Sequence, residues 1–181
     1  MLGEGKDAKE NDLEILGHRA CMYSHFFHGE LLEARRHSEQ LLAKYSPERS
    51  NRWLQLTGQD MQTSVGIWSS HWTWMLGYPD DAAKIAEETV DQARRVGHVF
   101  NLCFALIRSS DVFHYRGEID RLAERIREAD TLAREQSIPL IYNMLVPPLE
   151  GIAQINNGQF SEGISSLRRG IERWISLLIV A

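Results

Sequence analysis

The chain has 181 residues, a length that fits one medium-sized domain with a substantial hydrophobic core. Hydrophobic residues make up 43% of it and charged residues 25%, which is typical of folded proteins in water and argues against disorder. The formal net charge of −5 gives no basic field, so we expect neither nucleic acid nor an anionic membrane surface as a partner.

The cysteines and the apolar runs of the chain favour the cytoplasm. Cys21 and Cys103 are far apart and have no metal-type spacing, as expected in a reducing compartment. Residues 1–14 are polar and charged, unlike a secretory signal. The longest apolar run, residues 174–181, is shorter than the roughly 20 residues that a membrane-spanning helix needs. We therefore expect a cytoplasmic protein.

The periodicity of apolar residues predicts helices throughout and no strands. After a polar N-terminal segment (residues 1–11), a single domain covers residues 12–181, and the connection 46–59 is expected to hold a short helix around Trp53. The predicted helices cover about residues 12–28, 30–45, 60–76, 80–96, 99–116, 118–136, 139–157 and 161–178.

Two prolines interrupt the seventh of these predicted helices. Pro147 and Pro148 remove the hydrogen bonds to the carbonyls of Asn143 and Met144, so we expect a kink. Two interpretations stay open. The kink either adjusts the curvature of the array, or it turns the freed carbonyls toward a ligand groove.

An internal repeat organises the chain. Gly29, Gly77, Gly117 and Gly158 each follow a helical stretch and precede a polar turn and another helix, at separations of 48, 40 and 41 residues. Glycine suits a helix end that adopts the left-handed conformation. Small residues recur in two registers, seven residues before and five after each glycine, with three of four small in each: Met22, Ser70, Ser110 and Gly151, then Ala34, Ala82, Leu122 and Gly163. Such positions let two antiparallel helices approach closely.

The stretches 17–47, 58–98 and 150–174 carry this pattern. They resemble the tetratricopeptide-like C-terminal region of large bacterial signalling ATPases, which often carry a nucleotide-cyclase or regulator domain ahead of a P-loop ATPase. The resemblance covers residues 12–175 and implies an all-α, right-handed solenoid of about four helical hairpins. It further implies a regulatory fragment or stand-alone relative that lacks both catalytic parts.

In superhelical arrays of this type the first helix of each hairpin lines the concave surface. Counting back from the glycines predicts a groove with aromatic and aliphatic walls and a few polar groups, suited to a peptide or a small ligand. Its candidate binding residues are Arg19, Tyr23, Phe26, Ile67, His71, Trp74, Asp111 and His114, followed by Ile107, Ile152 and Ile155. Trp68 and Trp72 lie four apart on one helical face and are expected to pack between hairpins.

Catalytic signatures such as GxSxG, HExxH and CxxC do not occur in the sequence, so we expect no enzyme and no cofactor. His25 and His28 lie three apart on one helical face, and His37 on the next helix is positioned to approach them. A zinc site needs three or four ligands, so we favour surface or partly buried histidines over a metal site. Acidic Glu124 and Glu128 are expected to pair with arginines of their own helix.

Three functions follow from these patterns: a module for protein–protein interaction, which we favour, a small-molecule sensor that uses the same groove, or a metalloprotein built on the histidines. The final helix does not become polar, because residues 174–181 read Trp-Ile-Ser-Leu-Leu-Ile-Val-Ala. A solenoid end of this kind favours a partner. We expect a homodimer or another chain to cover residues 174–181, the alternative being that this tail folds back over its own hairpin.

Overall fold

The computed structural model describes the backbone of residues 2–180 and the side chains of residues 11–176, and this part of the chain is all-helical. A 3₁₀ turn, Pro47–Arg49, precedes α3, and a π-helical turn, Ile141–Leu145, precedes α9. The α-helices are α1 (Leu2–Phe27), α2 (Leu31–Lys44), α3 (Ser50–Thr57), α4 (Met61–Met75), α5 (Pro79–Val96), α6 (Val99–Ser109), α7 (Asp111–Tyr115), α8 (Ile119–Glu135), α9 (Val146–Asn156) and α10 (Phe160–Val180).

Neighbouring helices pack in pairs: α1 with α2, α4 with α5, α6 and α7 with α8, and α9 with α10. Each later pair also contacts the pair before it, since α4 touches α2, α6 touches α5 and α9 touches α8. The buried core follows these contacts along the chain. The predicted all-helical class is confirmed, as is the short helix around Trp53, which is α3.

The four repeat glycines close the first helix of each pair in the same way. All four adopt positive φ, between +74° and +93°. The residue after each glycine donates its N–H to the carbonyl five residues earlier, as from Glu30 to His25 at 2.9 Å and from Tyr78 to Thr73 at 3.1 Å. The carbonyl of that residue then accepts the first hydrogen bond of the next helix. These are Schellman turns, so the predicted left-handed helix ends are confirmed.

Small residues bring the paired helices together. A Cβ atom on Gly151 of α9 would lie 2.6 Å from the carbonyl oxygen of Gly163 in α10, and a Cβ on Gly163 would lie 2.6 Å from Ile155 Cγ1. No side chain fits at such distances, which explains glycine in both registers. Ser70 and Ala82, the equivalents in α4 and α5, are fully buried.

Two predicted helices have other bounds in the structure. Helix α1 begins at Leu2, ten residues before the predicted start. The predicted helix 99–116 is broken at Ser110 into α6 and α7. Ser109 and Ser110 donate hydrogen bonds from their hydroxyls to carbonyls of the preceding turn, at 2.6 and 2.7 Å. Side-chain bonds of this kind compete with the backbone hydrogen bonds of the helix and weaken it.

The prolines in the seventh predicted helix are accommodated by the π turn. The N–H of Val146 bonds to the carbonyl of Ile141, five residues back, immediately before Pro147 and Pro148. The extra residue in this turn is a recognised cause of helix irregularity. Pro148 then packs against α10, where a Cβ on Gly170 would lie 2.5 Å from its Cγ.

The fully buried carboxylate of Asp60 anchors the long connection 46–59. It accepts hydrogen bonds from the hydroxyls of Tyr45 at 2.5 Å and Ser50 at 2.8 Å, and it caps α4 by accepting the N–H of Thr63 at 2.9 Å. Its own N–H donates to Asn101 of α6 at 3.1 Å. One residue thus joins the ends of α2, α3, α4 and α6.

Candidate binding surface

Aromatic side chains from the first helices of three successive pairs form one continuous cluster. We call it the aromatic surface, and it consists of Tyr23, Phe26 and Phe27 of α1, Trp68, His71 and Trp74 of α4, and His114 and Tyr115 of α7. The Schellman turns fix its geometry, because they end α1, α4 and α7 at equivalent positions.

The rings of the aromatic surface contact one another in sequence across the three helices. Trp68 lies 4.9 Å from Phe26, 5.4 Å from Tyr23 in an edge-on arrangement, and 5.5 Å from Phe27, measured between ring centroids. On the other side, Trp68 lies 5.4 Å from His71. These contacts join α1 to α4 through aromatic pairs, which favour edge-on and tilted geometry.

Tyr115 continues the cluster onto α7. Its ring centroid lies 4.7 Å from Trp74, 5.7 Å from His114 and 6.4 Å from His71. Trp74 and His114 therefore contact the same ring, as expected if they belong to one surface. Burial raises the pKa of the Tyr115 hydroxyl, and the nearby Asp111 carboxylate adds to that rise.

The surface combines exposed and buried aromatic groups. Phe27 is 72% exposed and Tyr115 is 42% exposed, while Phe26 and Trp74 are half-buried. Trp68 is buried beneath this exposed edge. Large apolar side chains grouped at a protein surface mark interaction sites more often than scattered ones do.

Two arginines flank the aromatic rings. The Arg19 guanidinium lies 5.0 Å from the Tyr23 ring centroid and donates to Gln59 Oε1 at 2.9 Å. The Arg108 guanidinium lies 5.7 Å from the Trp68 ring centroid and 3.4 Å from Asp111 Oδ2. Helix α4 itself contains no Asp, Glu, Lys or Arg. Two guanidinium groups and one carboxylate, that of Asp111, lie beside the rings.

His71 occupies the middle of the cluster and is 2% exposed. Its Nε2 lies 3.3 Å from Asp111 Oδ2 without the alignment of a hydrogen bond, and both ring nitrogens lack a hydrogen-bond partner among the described residues. The Nδ1 of His114 is also buried without one. Buried polar atoms of this kind call for an explanation, such as a bound group or a water.

The structure separates the predicted groove residues into two sets. Arg19, Tyr23, Phe26, His71, Trp74, Asp111 and His114 all belong to the aromatic surface or its flanks. Ile67 does not, because it is 1% exposed and packs in the core, as does Ile107. Ile152 and Ile155 are half-buried in α9, outside the cluster. Trp72 is buried, in agreement with packing between helices.

The predicted groove residues did not include Phe27, Tyr115 or Arg108, while Trp68 was expected to pack between hairpins and does lie buried between α1 and α4. Phe27 and Tyr115 each stand two residues before a repeat glycine, and Met75, at the same offset, is also exposed. An offset of two residues before a repeat glycine would therefore have identified Phe27 and Tyr115 from the sequence.

The histidines of the first pair cluster differently from the predicted set. His37 Nδ1 lies 3.0 Å from His18 Nδ1, and the His37 ring stacks on His25 at 5.3 Å between centroids. His28 instead bonds the Ser24 carbonyl of its own helix at 2.7 Å. In the part of the chain whose side chains are described, no three His, Cys, Asp or Glu residues are arranged to hold a metal ion.

A separate groove of about 600 Å³ lies on α4 between the second helices α2 and α5. Its walls include Leu42, Leu76, Tyr78 and Ile85, with Arg35, Glu39, Lys84 and Glu88 paired within their own helices. Between the second helices α5 and α8, by contrast, Glu87 forms ion pairs with Arg121 and Arg125.

Among the described residues, no helix is long and apolar enough to cross a bilayer.

Comparison of the sequence with protein-family models gives no match, and comparison with curated proteins and with solved structures gives no significant one. The resemblance to the helical region of signalling ATPases therefore stays a prediction.

Proposed function

We propose that this chain is a non-catalytic helical-repeat module of the cytoplasm that binds a segment of another protein through its aromatic surface. The single observation that carries the proposal is the continuous contact of rings from α1, α4 and α7, with Phe27 and Tyr115 exposed at its edge. Aromatic anchors of this kind dominate the energetics of protein interfaces. The four repeated turns support a solenoid whose first helices form the binding face.

The flanking charges specify the chemistry of the partner segment. Arg19 and Arg108 lie beside the rings, and Arg108 is only partly neutralised, by Asp111 at 3.4 Å. A segment with aromatic or aliphatic side chains and a nearby carboxylate complements this surface. The partner proposed from the family resemblance is an ATPase or cyclase part of the same signalling system, and an adjoining P-loop ATPase reading frame would support it.

Selection from a displayed peptide library tests the proposal. We expect the selected peptides to be apolar and acidic, and to change the tryptophan fluorescence of the protein because Trp74 lies at the surface. Tyr115→Ala and Phe27→Ala each weaken binding about tenfold or more, as expected for interface anchors. Tyr78→Ala, an exposed tyrosine of the separate groove, is the matched control and leaves binding unchanged. Peptides that bind Tyr115→Ala as well as the unaltered chain contradict the proposal.

A second candidate is a small-molecule sensor, favoured by the unpartnered ring nitrogens of His71 beside Asp111. A specific ligand raises the melting temperature by mass action. In a thermal-shift screen, this candidate is supported by a compound whose effect disappears in both Tyr115→Ala and His71→Asn but not in Tyr78→Ala. It is rejected if no compound behaves in that way.

The predicted homodimer through residues 174–181 also remains a proposal. Trp174 and Ile175 are exposed, while the side chains of residues 177–181 lie outside the described part of the chain.

A further inference from the structure

Helix α10 carries a row of exposed apolar side chains along its described length. Phe160, Ile164, Leu167, Ile171 and Trp174 follow one another at intervals of 4, 3, 4 and 3 residues. All except Leu167, which is half-buried, are exposed. This alternation of intervals places the side chains on one stripe of the helix and is typical of a helix–helix seam.

The repeat register shows that the equivalent residues are less exposed in the two preceding pairs. Counted from the repeat glycines, Ile164, Ile171 and Trp174 of α10 correspond to Ala83, Val90 and Ala93 of α5. The three α5 residues are 8%, 0% and 0% exposed, and α5 is in contact with both α4 and the following helix α6. The three α10 residues are 45%, 53% and 39% exposed. In α8 the corresponding residues are Ala123, Asp130 and Ala133, of which Ala133 is fully buried and the other two are half-buried.

The size of the side chains in the stripe indicates which kind of helix covers it. In α5 the covered positions are mainly alanine, which lets the next helix of the same chain approach closely. In α10 they are isoleucine, leucine and tryptophan, which hold a neighbouring helix further away and interdigitate with side chains of similar size. Such a row suits a copy of itself better than another closely packed hairpin.

The charges beside the stripe are self-complementary. Arg168 and Glu172 are exposed, lie four residues apart, and share one side of the stripe beside Ile171; no ion pair of either is seen among the described side chains. In an antiparallel two-fold pair, Arg168 of each chain faces Glu172 of the other, and the two Ile171 side chains meet near the axis. We infer that the α10 stripe is a homodimer interface in which two copies pack antiparallel around Ile171.

This inference is tested by measuring the molar mass of the full chain in solution by sedimentation equilibrium. We expect a dimer at about 100 μM. Ile171→Asp places a charge at the centre of the stripe and weakens the dimer at least about tenfold. Leu32→Asp is the matched control, because Leu32 is as exposed but lies on α2. It leaves the dimer intact, and circular dichroism verifies that both variants are folded.

A charge exchange tests the antiparallel register. Arg168→Glu and Glu172→Arg each place like charges opposite each other and weaken the dimer, while the double variant restores the pairing with reversed signs. A chain that is monomeric at about 100 μM overturns the inference, as does a dimer that Ile171→Asp leaves unchanged. If Ile171→Asp weakens the dimer but the double variant of Arg168 and Glu172 does not restore it, the stripe is the interface and the antiparallel register is wrong.

Discussion

At the scale of single residues, His37 makes the α1–α2 pair sensitive to pH. Its pKa lies below the usual value of 6.5, chiefly because burial disfavours the charged ring, and Arg36, His18 and His25 lower it further while Glu33 opposes the shift. The folded state therefore resists protonation of His37 more than the unfolded chain does. Above pH about 6.5 the His37 ring is neutral in both states and the full stability is present. As the pH falls below that value, the unfolded chain binds a proton at His37 more readily than the folded state, so stability is lost until the pH reaches the lowered pKa.

We expect His37→Gln to reduce the pH dependence of stability. Melting temperatures measured at pH 7.5 and at pH 5.5 should differ less in this variant than in the unaltered chain, because the unfavourable protonation has been removed. His28→Gln is the control, since His28 is exposed and bonds only its own helix. If both substitutions change the pH dependence equally, His37 is not the sensitive group.

At the scale of helices, most boundaries are predictable from the sequence because the chemistry that ends a helix is local. Gly77 and Gly117 end their helices by adopting positive φ, a conformation that glycine reaches without strain. The break at Ser110 was missed because a serine inside a helix usually faces solvent or bonds the previous turn without ending it. Here two consecutive serines act together, and both are buried.

Contacts between helices were less predictable than the helices themselves. Glu128 was expected to pair within α8, but its carboxylate binds Arg94 of α5 at 2.9 Å. Its partner depends on which helix packs alongside, which the spacing within one helix does not contain. Only part of the aromatic surface was predicted, for a related reason. The offsets from the repeat glycines located Tyr23, Trp74 and His114, whereas burial of Ile67 depends on the helices packed around it.

The close contact of α4 with α5 predicts that a large side chain placed between them destabilises the protein. Ala82 is fully buried where the two helices meet, so Ala82→Trp inserts volume that the packing does not accommodate. We expect a loss of about 1–3 kcal/mol or more in the free energy of unfolding, seen as a lower melting temperature. Lys84→Trp, at an exposed position of α5, should change stability little. Equal melting temperatures for the two variants would remove the basis of the repeat alignment.

At the scale of the whole molecule, polar contacts add to the aromatic ones that join the first pair of helices to the rest. The buried carboxylate of Asp12 in α1 binds Arg49 and accepts from Arg52 Nε at 2.7 Å, which links α1 to the 3₁₀ turn and α3. Tyr23 adds a hydrogen bond to Ser64 of α4 at 2.7 Å. In an array where each pair contacts only its neighbours, stability is a sum of local terms, and damage at one end stays local.

Asp12→Ala tests whether this chain behaves as such an array. Removing the carboxylate leaves two arginines without their charged acceptor and should cost about 1.5–3 kcal/mol of local stability. In hydrogen exchange we expect faster exchange of the amides of α1 and α2 and unchanged exchange in α9 and α10. Asp91→Ala, which removes an exposed carboxylate paired within α5, is the control and should leave all of these amides unchanged. If protection in α9 and α10 falls as much as in α1, the helices unfold as one cooperative unit and the solenoid proposal fails.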